Sequence, residues 1–300
     1  MIDFFNYKRI YSQNKNTLKK VFISVSKNGK FILQDDLHKF EENLNKFHGC
    51  KYSLGVGNAT DAMEMLLIAS NISTGDEVIF CSHTMTATAS AIKFVGAKPI
   101  PIDCNDEYLM DYKKIEKKIN SRTKAIFVTQ LNGRIADMNE ICHIAKKHNL
   151  LIFEDSAQAI GSKYYEKASG TFGVGGCLSF YPAKVLGCLG DGGAVITNNR
   201  KIYNKIKLLR DHGRNQLDVK IWGFNSRLDN LQAAFLNYFL SKVSGYISHR
   251  RKIAKIYYQE LSSNPYIKCP PNNLIEKNRF DNYQNFEIQC FKRNELKKYL

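Results

Sequence analysis

The sequence predicts an α/β protein with a mostly parallel central sheet, helices on both faces, and a small, incomplete α+β domain at the C-terminal end. Three observations carry that expectation. Short apolar runs alternate with amphipathic stretches along most of the chain, which implies right-handed βαβ units and a sheet buried on both sides. One run, residues 150–153, ends in Glu154 and Asp155, so a buried strand delivers carboxylates at its C-terminal end, where open α/β sheets place ligands. Another, residues 177–181, leads to Lys184 and a glycine-rich turn (Gly187, Gly190, Gly192, Gly193) before a third strand at 194–197.

Residues 1–30 are polar and irregular and read as an N-terminal arm. Residues 31–240 read as the large domain, and 241–300 as a connecting helix and the start of the small one. Leu37, Phe40, Leu44 and Phe47 recur at helical spacing, so 35–47 is a helix that Asp35 and Asp36 suit at its start. Residues 52–56 form a short strand. In the following GNATDAMEMLLIAS, Asn58 can cap a helix whose apolar face includes Met63, Leu66 and Leu67. A helix start after a glycine offers free N–H groups to a phosphate. Strands are expected at 77–81, 98–103 and 124–129, and helices at 86–95, 111–120, 137–148, 200–210 and 245–261. Pro265, Pro270 and Pro271 mark a boundary. A strand at 286–290 and a helix at 294–300 then open the small domain. Few residues follow the start of that helix, so sugar amination is expected to be weaker than cofactor binding.

The net charge of +16 is concentrated in residues 200–300, which carry 20 Lys and Arg against 8 Asp and Glu. No nucleic-acid motif accompanies this excess, and attraction of an anionic substrate accounts for it as well. Nucleic acid is therefore not an expected partner. No apolar run approaches the ~20 residues of a membrane span, and the N-terminus lacks the apolar core of a signal peptide. The chain reads as cytoplasmic with no membrane partner. Eight scattered cysteines without a CxxC pair, and seven histidines without HExxH, give no metal site.

A lysine and a carboxylate on neighbouring strand ends suit pyridoxal 5′-phosphate, whose aldehyde needs a lysine and whose ring nitrogen needs an anion. The same spacing suits a structural ion pair equally well. The longer motifs EDSAQAIGS and SFYPAK-x-LG-x-LGDGGA-x-x-TN resemble the StrS/DegT family of nucleotide-sugar aminotransferases, and the resemblance spans roughly residues 21–300. It implies a fold-type-I pyridoxal-phosphate enzyme. Lys184 would be the Schiff-base lysine, Asp155 the partner of the pyridine nitrogen, Gln158 a neighbour of the ring, and Ser179 a phosphate contact. Thr60 and Asp61 match the family's phosphate turn, with Ala59 where glycine is usual. Met85 stands where an aromatic residue usually stacks on the ring; the alternative for it is plain core packing. His83 could reach the cofactor or substrate.

QLNGRIADM is similar to a family loop, with Gln130 at a common histidine position. Arg134 in it is either a substrate-phosphate contact or a surface arginine. GFNSRLDNLQAAFL is similar to an element that crosses a dimer interface, so Asn225 and Arg227 would lie near the partner's cofactor phosphate in a homodimer with shared sites. The implied reaction moves an amino group from glutamate to a nucleotide-linked keto-sugar, making an amino sugar for a surface polysaccharide or a glycosylated product. A sister branch that dehydrates sugars has histidine for the lysine, and Lys184 argues against it. The alternative is a truncated, non-catalytic or regulatory homologue that keeps the fold.

Overall fold

A computed structural model describes residues 4–300. The chain begins with α1 (Tyr7–Asn28) and α2 (Asp35–His48), followed by β1 (Tyr52–Val56), α3 (Ala59–Ala69), β2 (Glu77–Cys81), α4 (Thr86–Phe94), β3 (Lys98–Ile102) and β4 (Thr123–Thr129). Next come α5 (Met138–Lys147), β5 (Leu151–Asp155), a hairpin of β6 (Lys163–Tyr164) and β7 (Lys167–Ala168), β8 (Gly175–Ser179), β9 (Gly193–Thr197) and α6 (Arg200–Leu209). A hairpin of β10 (Arg214–Asn215) and β11 (Asp218–Val219) leads to α7 (Asn230–Leu240) and the long α8 (Val243–Leu261). Short β12 (Ile267–Lys268), β13 (Arg279–Phe280) and β14 (Gln289–Cys290) precede α9 (Arg293–Tyr299).

Seven strands form the central sheet in the order β1-β9-β8-β5-β4-β2-β3. The pairs from β8 to β3 are parallel, while β9 runs antiparallel to both β8 and β1. Helices α3, α4 and α6 bury their apolar stripes on one side, around Met65, Leu66, Ile92 and Ile206. Two clusters cover the rest: one brings Leu37, Phe40 and Leu236 against Phe180 and Ile196, and the other gathers Ile126, Val128 and Ile141 around α5. The mostly parallel sheet with helical layers is the architecture expected from the sequence.

Three local expectations are corrected. The irregular arm is largely a helix, α1; residues 1–3 lie outside the described residues. Asn6 caps it by accepting from the Arg9 N–H at 2.8 Å, and Gly29 closes it in the left-handed region. Its buried residues, Leu18 and Val25, are seven apart in an otherwise polar stretch, too sparse a seam to register as a period. The helix expected at 111–120 is two 3-10 turns, Tyr112–Lys114 and Glu116–Lys118. Only Ile115 of that segment is fully buried, and Ile119 is already extended, so no apolar stripe sustains a helix. The strand expected at 286–290 pairs only over β14, opposite β12. Phe286 instead packs its ring against Tyr257 and Tyr258, with centroids 5.0 and 4.9 Å away.

One buried ion pair ties the helical layers to the sheet edge. Arg210 donates to Glu41 Oε1 at 2.5 Å and to the Gly55 carbonyl at 3.0 Å, while the Gly55 N–H donates to the same Glu41 oxygen at 2.8 Å. Truncating one member strands the other charge away from water. Glu41→Ala is expected to lower the unfolding free energy by roughly 3–5 kcal/mol, measured by urea denaturation. Glu41→Leu combined with Arg210→Met should recover most of the loss.

Candidate active site

The sheet brings its chemistry together at the C-terminal strand ends. Thr129 on β4, Asp155 on β5 and Cys177 on β8 are cross-strand neighbours. Asp155 is only 5% exposed. It accepts from the Thr88 hydroxyl at 2.7 Å, from the Ala157 N–H at 3.2 Å and from the Cys177 thiol at 3.6 Å. Burial, and then the nearby Asp155, push the Cys177 thiol well above its ordinary value, so it remains a neutral donor. Lys184 sits in the turn beyond β8, its N–H bonded to the Tyr181 carbonyl at 2.8 Å. Burial pushes its ammonium below the ordinary lysine range, with attraction from Asp155 opposing that. The turn is braced from the C-terminal segment: Gln284 accepts from the Val185 N–H at 2.9 Å and donates to the Ala183 carbonyl at 3.0 Å.

A second group of expected residues lies around the start of α3. Ser179 on β8 faces Gly193 on β9. Gly193 is pressed so closely onto the turn before α3 that a Cβ there would lie 2.4 Å from the Asn58 carbonyl carbon; only glycine permits that approach. The contact brings the β8–β9 strand ends against the helix start that carries Thr60. Asn58 caps the helix through the Asp61 N–H at 2.9 Å. The Asp61 carboxylate accepts from the Ser226 hydroxyl at 2.5 Å, and that hydroxyl accepts from the Gly57 N–H at 2.9 Å. Asp61 is thereby tied to the segment bearing Asn225 and Arg227. Asn225 is exposed and bridges to Asp211 through the backbone. Arg227 is half-buried and donates to Asp211 at 2.5 Å.

Met85 is 66% exposed at the N-cap of α4, so the core-packing alternative fails. Gln158 is half-buried, its amide oxygen accepting from the Asn132 N–H at 2.8 Å. His83 lies 3.4 Å from Glu287. Gln130 is fully buried and holds structure, donating to Glu154 at 2.8 Å and accepting from the Ala136 N–H at 2.9 Å. Neither reading of Arg134 survives. It is 3% exposed, donates to the Glu107 carbonyl at 3.1 Å and pairs with Asp281 at 3.4 Å, locking its loop to the C-terminal segment. Sequence reasoning missed Thr84, Thr88, Thr129 and Ser226, which reach the site only through tertiary hydrogen bonds. Two clefts of about 550 and 480 Å³ open elsewhere, over α8 and along α1. Among the described residues, no helix is long and apolar enough to cross a membrane and no three His, Cys, Asp or Glu side chains converge on a metal position.

This arrangement of lysine, buried carboxylate and helix start on a mostly parallel sheet is that of an aminotransferase fold. Residues 12–300 match the DegT/DnrJ/EryC1/StrS aminotransferase family, and the chain belongs to it. It is 35% identical over 292 residues to a "Pleiotropic regulatory protein" of Geobacillus stearothermophilus, covering 97% of this chain and 78% of that one. It is 34% identical over 299 residues to a "UDP-2-acetamido-2-deoxy-3-oxo-D-glucuronate aminotransferase" of Pseudomonas aeruginosa, covering 99% and 82%. The crystal structure of S. venezuelae DesV superimposes with a TM-score of 0.95 at 32% identity, over 99% of this chain and 80% of that one.

The lowered proton affinity of Lys184 has a direct readout. Burial favours the neutral amine, so Lys184 in the cofactor-free protein should gain reactivity toward labelled acetic anhydride at a lower pH than the exposed lysines. Asp155→Asn removes an attraction that keeps the ammonium charged, and should move that pH lower still. Lys184 labelling in step with the exposed lysines would contradict this account.

Proposed function

We propose that the chain is a pyridoxal-phosphate-dependent transaminase that moves an amino group from glutamate to a nucleotide-linked keto-sugar, in the making of an amino sugar for a surface polysaccharide or a glycosylated product. The observation that carries this reading is that Lys184, in the turn beyond β8, loses proton affinity through burial while feeling the attraction of Asp155, buried at the end of the neighbouring β5. The residues present fit the cofactor chemically. The Ser179 hydroxyl and the start of α3 at Thr60 meet through the Gly193 contact, a donor set suited to a phosphate.

Pyridoxal 5′-phosphate supplies, when bound, an aldehyde for an amine and a cationic ring that withdraws electrons from the reacting carbon. Lys184 would hold it and, once freed by the donor, would take a proton from the donor's α-carbon and return it. Asp155 would face the ring nitrogen and keep its proton in place. Gln158 would flank the ring and Met85 would lie over it; a sulfur against an aromatic face contributes ~0.3–1.5 kcal/mol, overlapping the ~0.5–1.5 kcal/mol of an aromatic pair. Thr60, Ser179 and the turn containing Asp61 would hold the phosphate. Asn225 and Arg227 would approach the phosphate of the second subunit in a cytoplasmic homodimer. The solvent-facing Leu217 and Trp222, 98% and 95% exposed on the same stretch, support a partner on that side.

A regulatory, non-catalytic role is the second reading, which the name of the Geobacillus relative brings forward. It gives no use for a half-buried lysine set near a buried carboxylate, since each is costly to desolvate. The readings part on the half-reaction with glutamate, followed by a panel of nucleotide-linked keto-sugars with mass spectrometry of the products. Borohydride reduction and peptide mapping of the loaded protein should find the pyridoxyl group on Lys184, and label on another lysine would sink the assignment. Asp155→Asn should slow the glutamate half-reaction by ~100-fold or more while the protein stays folded. For the shared site, Asn225→Ala subunits exchanged with Lys184→Ala subunits should restore one active site per dimer; no recovery after verified exchange counts against it.

A further inference from the structure

We infer that Thr129, Thr84 and Thr88 form a one-way relay of hydroxyl hydrogen bonds ending on Asp155, and that these threonines are positioning residues for the cofactor's ring nitrogen. The inference rests on the reading of Asp155 given above. Thr84 Oγ1 lies 2.9 Å from Thr88 Oγ1 and 3.0 Å from Thr129 Oγ1. Thr88 Oγ1 donates to Asp155 Oδ2 at 2.7 Å. The four residues come from four places: the end of β4, the loop after β2, the first turn of α4 and the end of β5.

The direction follows from counting protons. A threonine hydroxyl has one hydrogen to donate, and an ionised carboxylate only accepts. Thr88 has given its hydrogen to Asp155, so in its contact with Thr84 it can only accept. Thr84 must therefore donate to Thr88, which leaves it to accept from Thr129. A chain of hydroxyls is satisfied in either direction until an acceptor-only group fixes one end, and Asp155 is that group. Each donation polarises the next and strengthens the bond on the carboxylate. Thr88 and Thr129 are buried, so water does not readily replace a lost partner. Thr88 also sits in a helix, where threonine commonly bonds back to its own backbone; here its hydrogen is spent on a residue 67 positions away.

The relay fixes the place of the carboxylate that would face the ring nitrogen. Holoenzyme loaded with cofactor labelled with ¹⁵N in the ring tests this. In Thr88→Val the ring-nitrogen resonance should move toward the unprotonated form, and the cofactor dissociation constant should rise about tenfold, the scale of a lost hydrogen bond to a charged group. The glutamate KM should stay within about twofold while kcat falls, since the weakened contact is on the cofactor side and not to glutamate. Thr88→Ser keeps the hydroxyl and should restore all three. Thr84→Val is half-buried rather than buried and should shift the resonance in the same direction by less. A wild-type resonance in both valine variants, with a shifted one in Asp155→Asn, overturns the relay. A wild-type resonance and half-reaction in Asp155→Asn overturns instead the assignment of Asp155, and the relay's premise with it.

Discussion

Much of the site depends on holding one carboxylate inside the protein. Asp155 gains its position from β5, whose apolar residues between β4 and β8 bring the strand end into the interior. Burial on that scale costs several kcal/mol for an unpartnered ion. The fold offsets it with a ring of donors rather than a salt bridge: a hydroxyl, a backbone N–H and a thiol that burial keeps neutral. These hydrogen bonds hold the carboxylate in place at the strand end. The neighbouring Glu154 shows the contrast. It points to the other face of the strand, where the N–H groups of Gly170 and Phe172 and the Gln130 amide satisfy it, and burial pushes its proton affinity up. Strand alternation separates a structural carboxylate from a reactive one within two residues.

Lys184 has the opposite problem. A turn is the wrong place for a residue that needs a fixed position, because loops open locally at low cost. This turn is held from outside by Gln284, and the segment bearing Gln284 is itself pinned by Asn282 to the Gln158 and Ile160 carbonyls at 3.0 and 2.9 Å. Arg134 adds a buried pairing with Asp281. The C-terminal stretch therefore serves as a brace: residues 281–284 connect the lysine turn, the Gln158 loop and the loop after β4. Loosening it would disturb the lysine without touching it.

The parallel sheet, most of the helices, and the places of Asp155 at the end of β5 and of Lys184 beyond β8 were legible because their signals are local. Apolar runs of strand length end in charged residues, and the lysine motif is contiguous. Helix α1 was not legible, since its buried seam has two members. Arg134 was misread for a related reason: a loop arginine is exposed unless a distant carboxylate folds over it, and Asp281 lies 147 residues away. The threonines gave no signal at all. Thr84 and Thr88 stand one helical turn apart in a stretch rich in small residues, and nothing in that spacing announces that a strand end carrying Asp155 will arrive beside them.

Asp61 shows how such distant bonds settle a local conflict. An acidic side chain in the first turn of α3 favours the helix dipole, yet a free carboxylate there would repel the phosphate that the same helix end attracts. Asp61 is engaged instead by the Ser226 hydroxyl, which also takes the Gly57 N–H. The carboxylate is thus turned to a structural task, and the backbone donors at Ala59 and Thr60 are the part of the turn left for an anion. The same bond holds Ser226 between Asn225 and Arg227. One hydroxyl therefore sets the spacing between the start of α3 and the stretch carrying Asn225 and Arg227.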